Sequence, residues 1–104
     1  MKRKKKMESL EAWSHKHDFQ IEDVWNTDNT IARLIVPRLK VYRALDKHGC
    51  PGNIDSIEAC NKIIDKMIFA FELNMHVSKL TFEQENDFKE GFELFYKYYR
   101  NLWD

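Results

Sequence analysis

Ile57, Cys60, Ile63, Ile64, Met67, Ile68, Ala70 and Phe71 recur at three- and four-residue steps and occupy about half the circumference of a helix. No strand would gather these residues on one side, so the segment is expected to be the central helix of an all-α fold. Its start is expected at Asp55, which can cap the helix while Glu58 reaches back from three residues on. Thr81 and Gln84 repeat that signature and open a last helix, whose inward seam is expected to be Phe88, Phe92, Phe95, Tyr99 and Leu102. Gly91 beside the seam allows a close approach between helices.

An earlier long helix is expected from Asp28 as N-cap to Lys47, with Gly49 as its stop and Gly49–Asn53 as a turn. Pro37 falls inside it and is expected to bend it rather than end it, because the apolar period continues through Tyr42 and Leu45. Before Trp25 the pattern is weaker. Glu8–Lys16 can form a short helix with Met7, Leu10 and Trp13 inward, and Phe19, Ile21 and Val24 an extended approach. The expected architecture is therefore a small helical bundle of three main helices, about 28–47, 55–76 and 81–103, with a short N-terminal helix or extended segment.

A chain of 104 residues allows one domain, and 43% apolar residues with three Gly and two Pro exclude collagen-like and wholly disordered chains. Charge is unevenly placed. Five of the 17 Lys and Arg residues are Lys2, Arg3, Lys4, Lys5 and Lys6, which leaves 12 basic against 17 acidic residues in the remainder. Residues 1–7 are expected to be a disordered basic leader and 8–104 a single helical domain. Without interleaved aromatics the leader carries no readout chemistry, so nucleic acid is not an expected partner. No apolar core follows it as in a signal peptide, and the longest uncharged apolar run in the middle, Met67–Phe71, is far too short to span a membrane. Cys50 and Cys60 form no CxxC motif or disulfide framework, which points to a reducing cytosol.

Several side chains resist a purely structural reading. At 100° per residue the first long helix gathers Ile31, Leu34, Ile35, Val41, Tyr42 and Leu45 on one face, with Arg38 at its centre. That face is expected to turn inward, so Arg38 must pair with Asp65 or Glu72, snorkel to water, or form a recessed anion site. Arg33, Lys40 and Lys47 make a basic stripe on the opposite face, able to meet phosphates or merely solvated. Phe69 sits amid Lys62, Asp65, Lys66, Glu72 and His76, as a subunit contact, a ligand platform or the seat of an N-terminal segment. Glu72 and His76 supply only half a metal site, and His15 and His17 stand without a framework. No GxSxG, Gly-rich phosphate loop or Cys with an adjacent base is present, so neither cofactor nor metal is expected and enzyme activity is not favoured. The aromatic run from Phe95 to Trp103 is read as core plus interface.

Four ordered blocks, Trp25–Ala32, Val36–Lys40, Ile64–Glu72 and Gly91–Tyr99, with a final Leu102-Trp103-Asp104, resemble a family of small uncharacterised proteins of tailed bacteriophages. Trp25, Asp28, Asp65, Glu72, Lys97 and Asp104 fall on the family's polar positions, and the basic leader has no counterpart. The resemblance implies a phage accessory protein of the host cytoplasm, acting in counter-defence. Its expected mode is an oligomeric sponge for a nucleotide-type immune signal, with Arg38, Arg33 or Lys40 on phosphate and Phe69 or Trp25 on the base. The alternatives are a decoy that binds a host defence protein and a virion or assembly component. The residues assigned to ligand binding are Arg38, Arg33, Lys40, Trp25, Asp28, Asp65, Phe69 and Glu72.

Overall fold

The computed structural model describes residues 10–45, 54 and 56–102. The elements run α1 (Leu10–His17), α2 (Glu22–Trp25), α3 (Thr27–Ala44), α4 (Ile57–His76) and α5 (Phe82–Tyr98), followed by a 3-10 turn at Tyr99–Asn101. Three main helices carry the fold, as the spacing predicts. The leader, Lys47, Gly49, Asp55 and the final Trp103 and Asp104 lie outside the described residues.

Helix ends follow local chemistry. Thr81 and Gln84 form the full capping box: Thr81 Oγ1 accepts from the Gln84 amide at 3.1 Å, and the Thr81 amide donates to Gln84 Oε1 at 2.9 Å. At α4 the cap is Ser56, whose hydroxyl accepts from the Ala59 amide at 3.0 Å, so the helix begins two residues after Asp55. Asp28 lies in the first turn of α3 rather than capping it; Asn26 precedes the helix without a side-chain cap bond. There Asp28 still faces the positive end of the helix dipole. Helix α3 passes through Pro37 without ending. The expected extended approach is instead the single turn α2, tied to α3 by Thr27 Oγ1 on the Val24 carbonyl at 2.7 Å and Thr30 Oγ1 on the Asp23 carbonyl at 2.8 Å.

Helix α4 is central: α3 and α5 both pack on it, and no Cα of α3 comes within 8 Å of α5. The core is built from Ala32, Val36 and Leu39 of α3, Cys60, Ile64, Met67, Ile68 and Phe71 of α4, and Tyr98 of α5. Phe71 meets Phe92 and Phe95 edge to face, with centroids 4.7 and 5.1 Å apart. The α5 seam is turned from the expected one. Gly91 and Tyr98 are buried, Phe88, Phe92 and Phe95 half-buried, and Tyr99 exposed, because α5 closes on α4 through Gly91. Among the described residues α1 packs on no other helix; Trp13 stacks on His17 at 3.7 Å and meets the edge of Phe19 at 6.3 Å.

The resulting layer is extended, 57 × 34 × 20 Å with a radius of gyration of 17.7 Å. A compact chain of this length has a radius near 13 Å. A Cβ at Gly91 would collide with the Ala70 side chain and the Lys66 carbonyl oxygen. Gly91→Ala is therefore expected to lower stability by about 2 kcal/mol, net of alanine's helix preference, as an earlier midpoint in urea unfolding.

Candidate functional site

The face of α3 expected to turn inward, Ile31, Leu34, Val41 and Leu45 around Arg38, is exposed, and the structure turns in Ala32, Val36 and Leu39 instead. Ala32 brings the α3 backbone close to α4, and at that rotation two cations of α3 reach carboxylates of α4. Lys40 pairs with Glu72 at 2.9 Å, and Arg43 with Asp65, where Nη2 donates to Oδ2 at 3.1 Å while Nε donates to Oδ1. The hydrogen bond from Arg43 to Asp65, and then the carboxylate's charge, hold the guanidinium above its ordinary range. On the other flank Lys66 of α4 pairs with Glu90 of α5 at 2.7 Å.

Arg38 is consequently not recessed. It is exposed, it pairs with neither Asp65 nor Glu72, and its Nη1 donates to the Leu34 carbonyl at 2.7 Å. Burying it would have removed a guanidinium from water without a carboxylate to meet it. It lies instead on the rim of an open trough between α3 and the C-terminal end of α5, walled by Ile35, Leu39 and Tyr42 on one side and Phe95, Tyr99 and Leu102 on the other. The trough encloses about 520 Å3, within the range of small-molecule sites. It continues along α5 past Phe92, Tyr96, Lys97 and Arg100. Tyr42 closes one end by donating its hydroxyl to the Asn101 carbonyl at 3.3 Å. A narrower pocket of about 20 Å3 behind Tyr42 and Leu102, lined by Cys60, Ile63, Met67 and Tyr98 among others, holds little more than a water.

The other expected ligand residues do not gather around Arg38. Lys40, Asp65 and Glu72 are engaged in the ion pairs between helices. Arg33 donates to Asn29 Oδ1 at 2.8 Å and Thr30 Oγ1 at 3.3 Å on its own helix, so the two described members of the basic stripe, Arg33 and Lys40, are engaged within the fold. Trp25 is exposed on α2 and Asp28 exposed at the start of α3. Phe69 is exposed on the side of α4 away from Ile64, Met67 and Phe71, while Leu73 beside it is buried. Glu72 and His76 gain no further ligand: among the described residues no group of three His, Cys, Asp or Glu side chains converges as a metal site. No described helix is long and apolar enough to cross a membrane.

What sequence reasoning missed is the aromatic wall. Tyr42 and Tyr99 are assigned to inward seams by spacing, and both face the trough. The signal that could have found them is their polar tip, which prefers a wet edge to a core. No family model, curated protein or solved structure matches this chain.

The trough wall and the core separate by stability. Tyr99→Ala, at an exposed ring, is expected to change stability by less than about 0.5 kcal/mol, whereas Phe71→Ala is expected to cost about 3–5 kcal/mol. Urea unfolding followed by circular dichroism measures both.

Proposed function

We propose that this chain acts by binding rather than by chemistry, as an oligomeric holder of an anionic, aromatic small molecule of the nucleotide class seated in the α3–α5 trough. The observation that carries the reading is the position of Arg38, a guanidinium with unused donors on the rim of a groove walled by Tyr42, Phe95 and Tyr99. A planar base stacks on such rings, and a phosphate takes two parallel hydrogen bonds from a guanidinium. Lys97 and Arg100 add positive charge farther along the groove. The likeness to tailed-phage proteins supplies the setting: a counter-defence protein of the host cytoplasm that lowers the free concentration of an immune signal without cleaving it.

A second reading, a decoy for a host defence protein, is favoured by Tyr96, which is 87% exposed beside Arg100. Exposed tyrosine and arginine are the side chains that anchor protein interfaces.

Thermal unfolding across a panel of linear, cyclic and ADP-ribose-type nucleotides tests the first reading. A bound nucleotide at one hundred times its Kd adds about 2.7 kcal/mol, which is expected to raise Tm by roughly 10 °C in a chain of this size. Heat release should return the nucleotide intact by mass spectrometry. Arg38→Ala and Tyr99→Ala should each abolish the rise while leaving the unliganded Tm nearly unchanged. Flat curves across the panel overturn the nucleotide reading, and stoichiometric capture of one host protein would then favour the decoy.

A further inference from the structure

The groove that begins at Arg38 has a second stretch along the end of α5. Phe92, Tyr96, Lys97 and Arg100 border that stretch, and Phe95 and Tyr99 line both. Ring and cation alternate there, Tyr96-Lys97 and then Tyr99-Arg100, at a three-residue step. Side chains three apart along a helical backbone are neighbours, with Cβ atoms about 5–6 Å apart. This is the interleaving that the basic leader lacks. Single-stranded nucleotide chains are held in this way, with rings under successive bases and cations along the phosphates.

The groups in the groove are available to a ligand. Of the described arginines, Arg33 is tied to Asn29 and Thr30, and Arg43 to Asp65. The two that border the groove are free to bind: Arg38 spends one donor on the Leu34 carbonyl at 2.7 Å, and the Arg100 guanidinium bonds to no described residue. Lys97 Nζ lies 5.2 Å from the centre of the Tyr98 ring and pairs with no described carboxylate. Tyr96 and Tyr99 are 87 and 60% exposed, and Phe95 supports Tyr99 edge to face with centroids 5.4 Å apart.

Charge along α5 is segregated to match. Its acids, Glu83, Glu85, Asp87, Glu90 and Glu93, all precede Tyr96, and no Asp or Glu is among the described residues that line the groove. The C-terminal end of a helix favours cations by itself, but that does not account for two tyrosines standing in water beside them. The same pattern limits the length of the occupant. Tyr42 and Asn101 close the groove at one end, and beyond Tyr96 the α5 carboxylates would repel a further phosphate. Arg38, Lys97 and Arg100 suit a ligand with only a few phosphates.

We propose that the groove takes a dinucleotide: one base lies on Tyr99 with its phosphate on Arg38, and the second lies on Tyr96 with its phosphate between Lys97 and Arg100. This deepens the proposed function and rests on its reading of the trough beside Arg38 as a nucleotide seat. It adds a second subsite, and with it a preference for two linked nucleotides over one.

Isothermal titration calorimetry of the full chain with AMP, the 5′-phosphorylated dinucleotide pApA and the corresponding octanucleotide tests this. The dinucleotide is expected to bind about tenfold or more tightly than AMP, the size of effect that stacking one base produces. The octanucleotide should gain only the several-fold statistical advantage of overlapping sites. Tyr96→Ala and Arg100→Ala should each bring the affinity ratio of pApA to AMP toward one, with an unchanged circular dichroism spectrum, since both side chains are exposed. Arg38→Ala should weaken AMP and pApA alike and keep the ratio. A ratio that Tyr96→Ala leaves untouched overturns the second subsite, and an octanucleotide bound far more tightly than pApA overturns it in favour of a surface for single strands. AMP bound through Arg38 with no gain for pApA removes only the dinucleotide, whereas binding of neither removes the nucleotide seat on which it rests.

Discussion

The layer depends on α4 being approached closely from two flanks at once. Each approach uses residues without bulk: Gly91 of α5 against Ala70 and the Lys66 backbone, and the fully buried Ala32 of α3. Where the backbones draw together, Ile64, Met67 and Phe71 fill the space between all three helices. A side chain at Gly91 would lever α5 outward and part Phe92 and Phe95 from Phe71, so the aromatic cluster depends on a missing Cβ. The ion pairs Lys40–Glu72, Arg43–Asp65 and Lys66–Glu90 are solvent-exposed and individually add little stability. Their consequence is directional: they are made only when α3 and α5 are rotated so that Ala32 and Gly91 face α4.

That rotation marks where the sequence stops being legible. Several signals confined to one helix read correctly, namely the spacing of α4, the capping box at Thr81, the small residue at Gly91 and the burial of Cys60, whereas Ser56 caps α4 and Asp28 does not cap α3. Helix α3 carries two stripes, a bulky one through Ile31, Leu34, Val41 and Leu45 and a slimmer one through Ala32, Val36 and Leu39. Weighing hydrophobic bulk selects the first as core. The fold selects the second, because Ala32 permits close packing and Lys40 and Arg43 then meet carboxylates of α4, neither of which a pattern within α3 contains. Of the residues expected to bind a ligand, only Arg38 lines the trough. Tyr99, remote in sequence, completes the opposite wall because α3 and the end of α5, on opposite flanks of α4, border one groove between them. Periodicity tells which residues share a face and not which faces meet.

Surface left uncovered by this arrangement is a physical consequence of its flatness. A layer 20 Å thick is about two helix diameters deep, so a helix in it readily keeps a side that no neighbour covers. Leu34, Val41, Phe82 and Tyr96 all remain exposed, although a chain of this length folded to a radius near 13 Å would hide more of them.

Arg38 is where the two exposed features join, since it belongs both to the rim of the trough and to the outward stripe of α3. Leucine at that position would complete an uninterrupted apolar stripe along the outward edge of α3. Lysine would keep the charge but give up the planar fork that grips two phosphate oxygens together. Arginine keeps the stripe from running unbroken and leaves a planar donor fork on the rim of the trough, so a single side chain sets the polarity of both features.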